Sequence, residues 1–200
     1  MDINIAVAKM KEIAADDSHG YSQSDRWGPD YDCSSLVITA LEAGGFMVKK
    51  KYGATWTGNM RTALANCGFI DVTSMIDLKT GVGLQVGDVL LKPYGHTEMV
   101  CSTQPLRLVG AHIDERGKTT GGKKGDQTGR EICISGYYNY PWKYVFRYIK
   151  EKPNPDIHAV ALAVIDGIYG NGVTRMIKLK AAGYNYNEVQ KEVNRILKGS

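Results

Sequence analysis

Apolar residues recur at helical spacing in "INIAVAKMKEIAADD", where Ile5, Val7, Ala8, Met10, Ile13 and Ala14 gather on one side and predict an amphipathic helix. A polar, turn-rich segment follows, "SHGYSQSDRWGPDYD". The helical period then returns. From Cys33 to Ala43, Leu36, Val37, Ala40 and Leu41 share a face, and Gly44-Gly45 supplies the stop. "TGNMRTALANCG" predicts a shorter helix with Met60, Ala63, Leu64 and Cys67 on its inner face and Gly68 at its end.

Beyond residue 85 the pattern changes. "GDVLLK", "HTEMVCS", "RLVGAHI", "EICISG" and "KYVFRYI" are short runs bounded by Gly, Pro or polar turns, several of them rich in Val, Ile and Tyr. They predict strands of a mostly antiparallel sheet. Helices first and strands second place the fold in the α+β class, with N-terminal helices packed on the sheet. Between the third and fourth runs lies "DERGKTTGGKKGDQTGR", a long Gly- and Lys-rich loop.

In "KEKPNPD" two prolines within three residues break either regular structure. The chain therefore divides into a first domain over residues 1–149, a linker over 150–155 and a second unit over 156–200. This last unit predicts a small three-helix bundle. Ile157, Val160, Ala161, Val164, Ile165 and Ile168 follow helical spacing behind an Asp156 N-cap. Gly170-Asn171-Gly172 breaks the pattern, a second helix carries Val173, Met176 and Ile177, and Asn185 with Glu188 opens a third in the manner of a capping box.

Composition and charge add mainly exclusions. With 25 basic and 21 acidic residues the net charge is +4, and there is no clustered basic face or tail, so nucleic acid is not an expected partner. No run approaches the roughly 18 apolar residues of a membrane span, so membrane insertion is not expected. The N-terminus opens acidic with no apolar signal core, so no signal peptide is expected. Cysteines at 33, 67, 101 and 133 contain no CxxC pair of the kind zinc sites use. Free thiols are the expectation, with Cys67, Cys101 and Cys133 as small apolar core positions.

Cys33 differs from the others in its placement. It begins its predicted helix, where unpaired N–H groups and the helix dipole favour a thiolate. A cysteine hydrolase also needs a base and a polar group that orients it. His96 opens one predicted strand and His112 closes the next, so an antiparallel hairpin through "STQP" would set them side by side. The competing reading is a pair of structural histidines, satisfied by their neighbours.

"GPDYDCSS", followed by "GDVLL", "GHTEMV" and an apolar strand ending in His, resembles the NlpC-type, papain-fold peptidoglycan hydrolases, in particular their phage endolysin branch. The closing "YYNYPWKYVFRY" resembles the aromatic last strand of that branch. The resemblance implies Cys33 as nucleophile, His96 as base and His112 as the residue orienting it. It places Tyr21, Asp32 and Ser34 at the substrate, with Asp32 also a candidate N-cap. It implies no cofactor and no metal. It leaves open a D-glutamyl or D-isoglutaminyl endopeptidase, an N-acetylmuramoyl-L-alanine amidase, and an inactive wall-binding protein, with the endopeptidase favoured.

"DGIYGNGVTRMIKLKAAGYNYNEVQKEVNRIL" resembles the short cell-wall-binding repeat of phage lysins. That resemblance implies muropeptide contact at Asp166, Gly167, Tyr169, Arg175 and Tyr184. The alternative is that the glycines serve turns, the tyrosines staple helices and Arg175 pairs with Asp166. Together the two resemblances imply a protein made in the host bacterial cytoplasm that reaches the peptidoglycan after release.

Overall fold

The structure is a computed structural model and describes residues 1–114, 116–118, 130–149 and 156–198. Most of the expected Gly/Lys-rich loop and all of the expected linker lie outside the described residues. The chain separates into two compact units, Met1–Tyr148 and Ile149–Ser200. Its architecture is mixed α+β, with one six-stranded antiparallel sheet and six α-helices among the described residues.

In the first unit α1 (Ile3–Ala14) and α2 (Cys33–Ala43) precede α3 (Met60–Asn66). Asp2 caps α1 by accepting from the Asn4 N–H, which satisfies one of the orphan donors of the first turn. Ala6, Val7, Met10 and Ile13 form the buried face of α1. Ile5 is half exposed, so the buried stripe is narrower than its apolar pattern. In α2 every residue from Cys33 to Ile38 is buried, together with Ala40 and Leu41. This helix is enclosed almost all round, which is why its polar first turn must find partners inside the protein.

The sheet has the order β1-β6-β2-β3-β4-β5. Its strands are β1 (Phe69–Asp71), β2 (Val89–Lys92), β3 (His96–Thr103), β4 (Leu106–Ala111), β5 (Ile132–Gly136) and β6 (Tyr144–Tyr148). Five match the apolar runs of the sequence; β1 is an addition. Val89, Leu91, Met99, Val109 and Ala111 join the core formed with Leu36, Leu41, Met10 and Phe46. Each such large side chain contributes about 1.5–3 kcal/mol by leaving water. Alternation places the neighbouring positions of the same strands on the opposite face. At the far end of the sheet Arg147 forks onto Asp88 at 2.7 and 2.6 Å, a buried pair that joins β6 to the entry of β2.

The second unit has α4 (Ile157–Ile165), α5 (Gly172–Ala181) and α6 (Tyr186–Leu197) around Val160, Ala161, Val164, Leu179, Val189 and Val193. Asp156 caps α4 through the Ala159 N–H, and Asn185 caps α6 through the N–H groups of Asn187 and Glu188. Ile168 and Val173, expected on helix faces, are two-thirds exposed. The reason is that α4 ends at Ile165 and Val173 sits in the first turn of α5.

Candidate active site

The position of Cys33 is set by the residue before it. Asp32 is the N-cap of α2 in a full capping box: its Oδ1 accepts from the Ser35 N–H at 2.7 Å, while Ser35 Oγ accepts from the Asp32 N–H at 2.9 Å. The buried Ser34 hydroxyl also donates to Asp32 Oδ1. Arg26 donates to Asp32 Oδ2 and to the carbonyl of Thr55. The carboxylate is thus engaged on both oxygens, and Cys33 is held as the first residue of the helix. Ser34 borders the cleft described below, but its hydroxyl is directed at Asp32.

Burial pushes the Cys33 thiol up to about 12, and the Asp32 charge adds to this, against weaker help from the N–H groups of Thr97 and Ser34. The expected lowering by the helix tip is therefore outweighed by desolvation. The same influences place Cys33 near Thr97, next in the chain to His96.

The hairpin of β3 and β4 explains the second half of the site. Met99 pairs with Val109 and Val100 with Leu108. Continuing that register sets Glu98 opposite Gly110 and His96 opposite His112, all on one face of the sheet. A Cβ on Gly110 would lie 2.5 Å from Glu98 Cγ, so only glycine leaves room for the Glu98 side chain to lie across β4. There its Oε1 accepts from His96 Nε2 and from His112 Nε2, each at 2.9 Å, and from the Tyr138 hydroxyl. His96 and His112 are neighbours, with ring centroids 5.4 Å apart, yet Glu98 connects them. Glu98 Oε2 is buried with no partner among the described residues. The donor atoms of His96, Glu98 and His112 lie within 4.8 Å of one another, the one group among the described residues that could surround a metal ion. Nε2 of each histidine and Oε1 of Glu98 are already engaged in these hydrogen bonds.

Electrostatics separates the two histidines. Burial lowers the His96 pKa despite its bond to Glu98. For His112, burial acts in the same direction, but the contacts with Cys133 and Glu98 prevail and raise its pKa to about 9. Burial would raise Glu98, but the two imidazoles outweigh it and hold the carboxyl at about 2. At neutral pH the row reads neutral His96, Glu98 carboxylate, His112 imidazolium. His96 Nδ1 has no hydrogen-bond partner among the described residues. Trp142 stacks on the His96 ring and Tyr140 meets it edge-on, with centroids 5.9 and 5.6 Å away, and these rings account for its dry surroundings.

A cleft of about 230 Å³ opens over Cys33, bordered by Tyr21, Gln23, Arg26, Asp32, Trp56, Thr57, Tyr94 and Gly95 among others. Tyr21 is buried along the cleft wall, and burial followed by the nearby Cys33 charge pushes its phenol up to about 12. A thiol at a helix tip, a histidine–carboxylate pair on the neighbouring strand and a cleft bordered by the thiol are the kinds of group that an acyl-transfer site combines.

A family model described as bacteriophage peptidoglycan hydrolase matches residues 2–101, half of the chain. The chain belongs to that family. The matched span of the hydrolase includes Cys33, His96 and Glu98 and stops before His112. Residues 158–197 match the CW_7 repeat, so a phage hydrolase domain is joined to a cell-wall-binding repeat, the composition of an endolysin acting on peptidoglycan. No curated protein matches the chain. No helix among the described residues is long and apolar enough to cross a membrane.

In the repeat of the hydrolase, Arg175 donates to the Gly170 carbonyl, to Asn171 Oδ1 and to Gln190 Oε1, rather than to Asp166. It therefore fastens the turn between α4 and α5. Gly167, Gly170 and Gly172 all have positive φ, the conformation that turns need and glycine adopts freely. Tyr169 and Tyr184 pack partly buried against the small core, and Asp166 is the exposed C-cap of α4.

Sequence reasoning missed Glu98, Arg26 and Gly110. The available signal was parity: Glu98 is two residues after His96 on one strand, and glycine interrupts the facing strand two residues before His112. Cys133, expected as an inert core thiol, is half-buried with its sulfur 3.6 Å from His112 Nδ1. The correction follows from the register, which pairs Cys133 with Gly110 and so places it on the same face as the polar row.

Proposed function

We propose that the hydrolase domain is a cysteine enzyme of papain-like, NlpC type that cleaves the endopeptide bond after a D-glutamyl or D-isoglutaminyl residue of the stem peptide. The observation that carries this reading is the thiol of Cys33 at a buried helix tip, beside the strand that bears the His96–Glu98 pair. As the scissile carbonyl enters, the Cys33 proton passes to His96 Nδ1 and the sulfur attacks the carbonyl carbon. The Cys33 N–H at the helix tip donates to the oxyanion. His96 then returns the proton to the leaving amine. Water attacks the thioester with His96 again accepting a proton, releasing the carboxylic acid and restoring the thiol. Glu98 stays ionised throughout and holds the imidazolium that forms beside it. The His112 cation opposes that imidazolium, which makes His96 a stronger acid toward the leaving amine.

Arg26 supports the choice of bond. A γ-linked D-glutamyl residue carries a free α-carboxyl or α-carboxamide oxygen. Arg26, which borders the cleft while its two Nη atoms donate to Asp32 and to the Thr55 carbonyl, is a cation beside the site suited to either. The second unit, as a three-helix wall-binding module, would keep the enzyme on its insoluble polymer and raise the effective substrate concentration.

Clearing of a purified cell-wall suspension tests the reaction. Cys33→Ala is expected to abolish clearing, and retained clearing overturns the assignment of Cys33. Mass spectrometry of the digest reads the bond: new amino groups on the diamino acid support the endopeptidase, whereas new amino groups on L-Ala replace it with the amidase.

A further inference from the structure

Two aromatic rings at the mouth of the cleft have no part in the row behind Cys33. Trp56 is 44% and Tyr94 78% exposed, and the rings meet edge to face with centroids 5.0 Å apart. Both border the same cleft as Cys33. Aromatic side chains that border a cleft are the usual apolar contacts of a bound ligand.

Each ring is fixed by its own local device. Asn59 Oδ1 accepts from the N–H groups of Thr55 and Trp56, and Asn59 Nδ2 donates to the Gly53 carbonyl, closing the loop that displays the indole. A Cβ on Gly58 would lie 2.4 Å from Trp56 Cη2, so glycine there lets the ring lie flat over its own backbone. Tyr94 occupies the third position of the turn between β2 and β3, closed by Gly95 N–H to Lys92 carbonyl at 3.0 Å, with φ of 60°. Glycine or asparagine is the ordinary occupant of that conformation. Tyr94 is the one non-glycine residue with positive φ among the described residues. Strain of this kind persists where the side chain it presents is used.

Resting on the hydrolase reading above, we infer that Trp56 and Tyr94 form a stacking shelf for a pyranose ring of the glycan strand, on the acyl side of the scissile bond. Stem peptides offer alanine, glutamyl and diamino-acid side chains, none of which presents a broad apolar face. The N-acetylated sugars that carry the peptide do, in the C–H faces of their rings. L-Ala, the γ-linked glutamyl residue and the lactyl ether between sugar and scissile carbonyl together span more than the roughly 7 Å of two extended α-linked residues, which carries the sugar out to the rim of the cleft that holds Cys33. The enzyme thereby reads the peptide as one still attached to its glycan.

All three tryptophans of the chain, Trp27, Trp56 and Trp142, lie in the first unit, so tryptophan fluorescence reports on that unit. The full-length Cys33→Ala protein is titrated with an N-acetylglucosaminyl-N-acetylmuramyl stem peptide and with the same peptide lacking the sugars. Binding of the sugar-bearing ligand is expected to be about tenfold tighter and to shift Trp56 emission. Tyr94→Gly relaxes the turn, so it is expected to fold at least as stably, and it should erase the preference while leaving the free peptide unaffected. Equal affinity for the two ligands in the Cys33→Ala protein, or a preference that survives Tyr94→Gly, would overturn the shelf. Equal loss for both ligands would assign the rings to the peptide and overturn it as well. Because the titration needs no turnover, a failure of the Cys33 chemistry shows separately, as wall clearing by Cys33→Ala.

Discussion

Glu98 and His112 form a buried ion pair through Oε1 and Nε2, 2.9 Å apart, and the same oxygen receives His96. The pair is what makes a carboxylate tenable where no water reaches it. An unpaired charge in that position would instead shift its pKa until neutral. His112 is in this sense a counter-ion to the carboxylate, and it acts on His96 both through Glu98 and directly, as a like charge that lowers the His96 pKa.

Replacing Glu98 by glutamine keeps the shape and removes the charge. In Glu98→Gln the imidazolium formed during turnover loses its partner, and wall clearing is expected to slow by about 100-fold or more. Circular dichroism should remain that of the folded protein. A rate within a few-fold of the parent would remove Glu98 from the mechanism.

Gly110→Ala tests the same row from the facing strand. The added methyl would stand 2.5 Å from Glu98 Cγ, and either the side chain or β4 must move. A stability loss of about 1–3 kcal/mol is expected in thermal melts, with clearing reduced out of proportion to the folded fraction. An alanine tolerated in both respects would show that Glu98 has another resting place.

The paired shifts give the row a defined pH window. His112 is raised from 6.5 to about 9, so its contribution is complete below 6.5 and is lost as pH climbs through about 9. Glu98 is depressed from 4.5 to about 2, so its contribution is complete above 4.5 and is lost as pH falls through about 2. The melting temperature of the first unit should therefore decline between pH 6.5 and 9, and His112→Gln should flatten that decline. Identical slopes in the two proteins would deny His112 its charge.

In the repeat, Arg175→Ala removes two hydrogen bonds to the turn at Gly170 and Asn171 and one to Gln190 of α6. At about 1 kcal/mol net for each hydrogen bond, so small a core is expected to loosen. Wall sedimentation should then retain less protein and helical ellipticity should fall. Weakened retention with intact helicity would instead mark Arg175 as a contact to the wall.

The legible parts of this protein are those set by local pattern. The polar loop running into Asp32 and Cys33 announced a capped helix, and the apolar runs around "STQP" announced a hairpin that would bring His96 toward His112. Glu98 was hidden because a charge within "HTEMV" reads as an exposed position until the facing Gly110 is known. β1 is three residues long, too short to carry a period. The insertion of β6 between β1 and β2 is a pairing between distant segments, which no local pattern records. The high pKa of Cys33 arises from burial by side chains far apart in the chain, and the helix tip alone argued for the opposite shift.

The nearness of Cys133 to the row has a practical side. Cys33 is 7% exposed and largely protonated at neutral pH, whereas Cys133 is half-buried. A bulky adduct on Cys133 would press on His112 and, through it, on Glu98. Loss of activity on thiol modification is therefore not a signature of Cys33 alone. A Cys133→Ser background closes that route, and with Cys67 and Cys101 buried in the core the effect of labelling on activity then turns on Cys33.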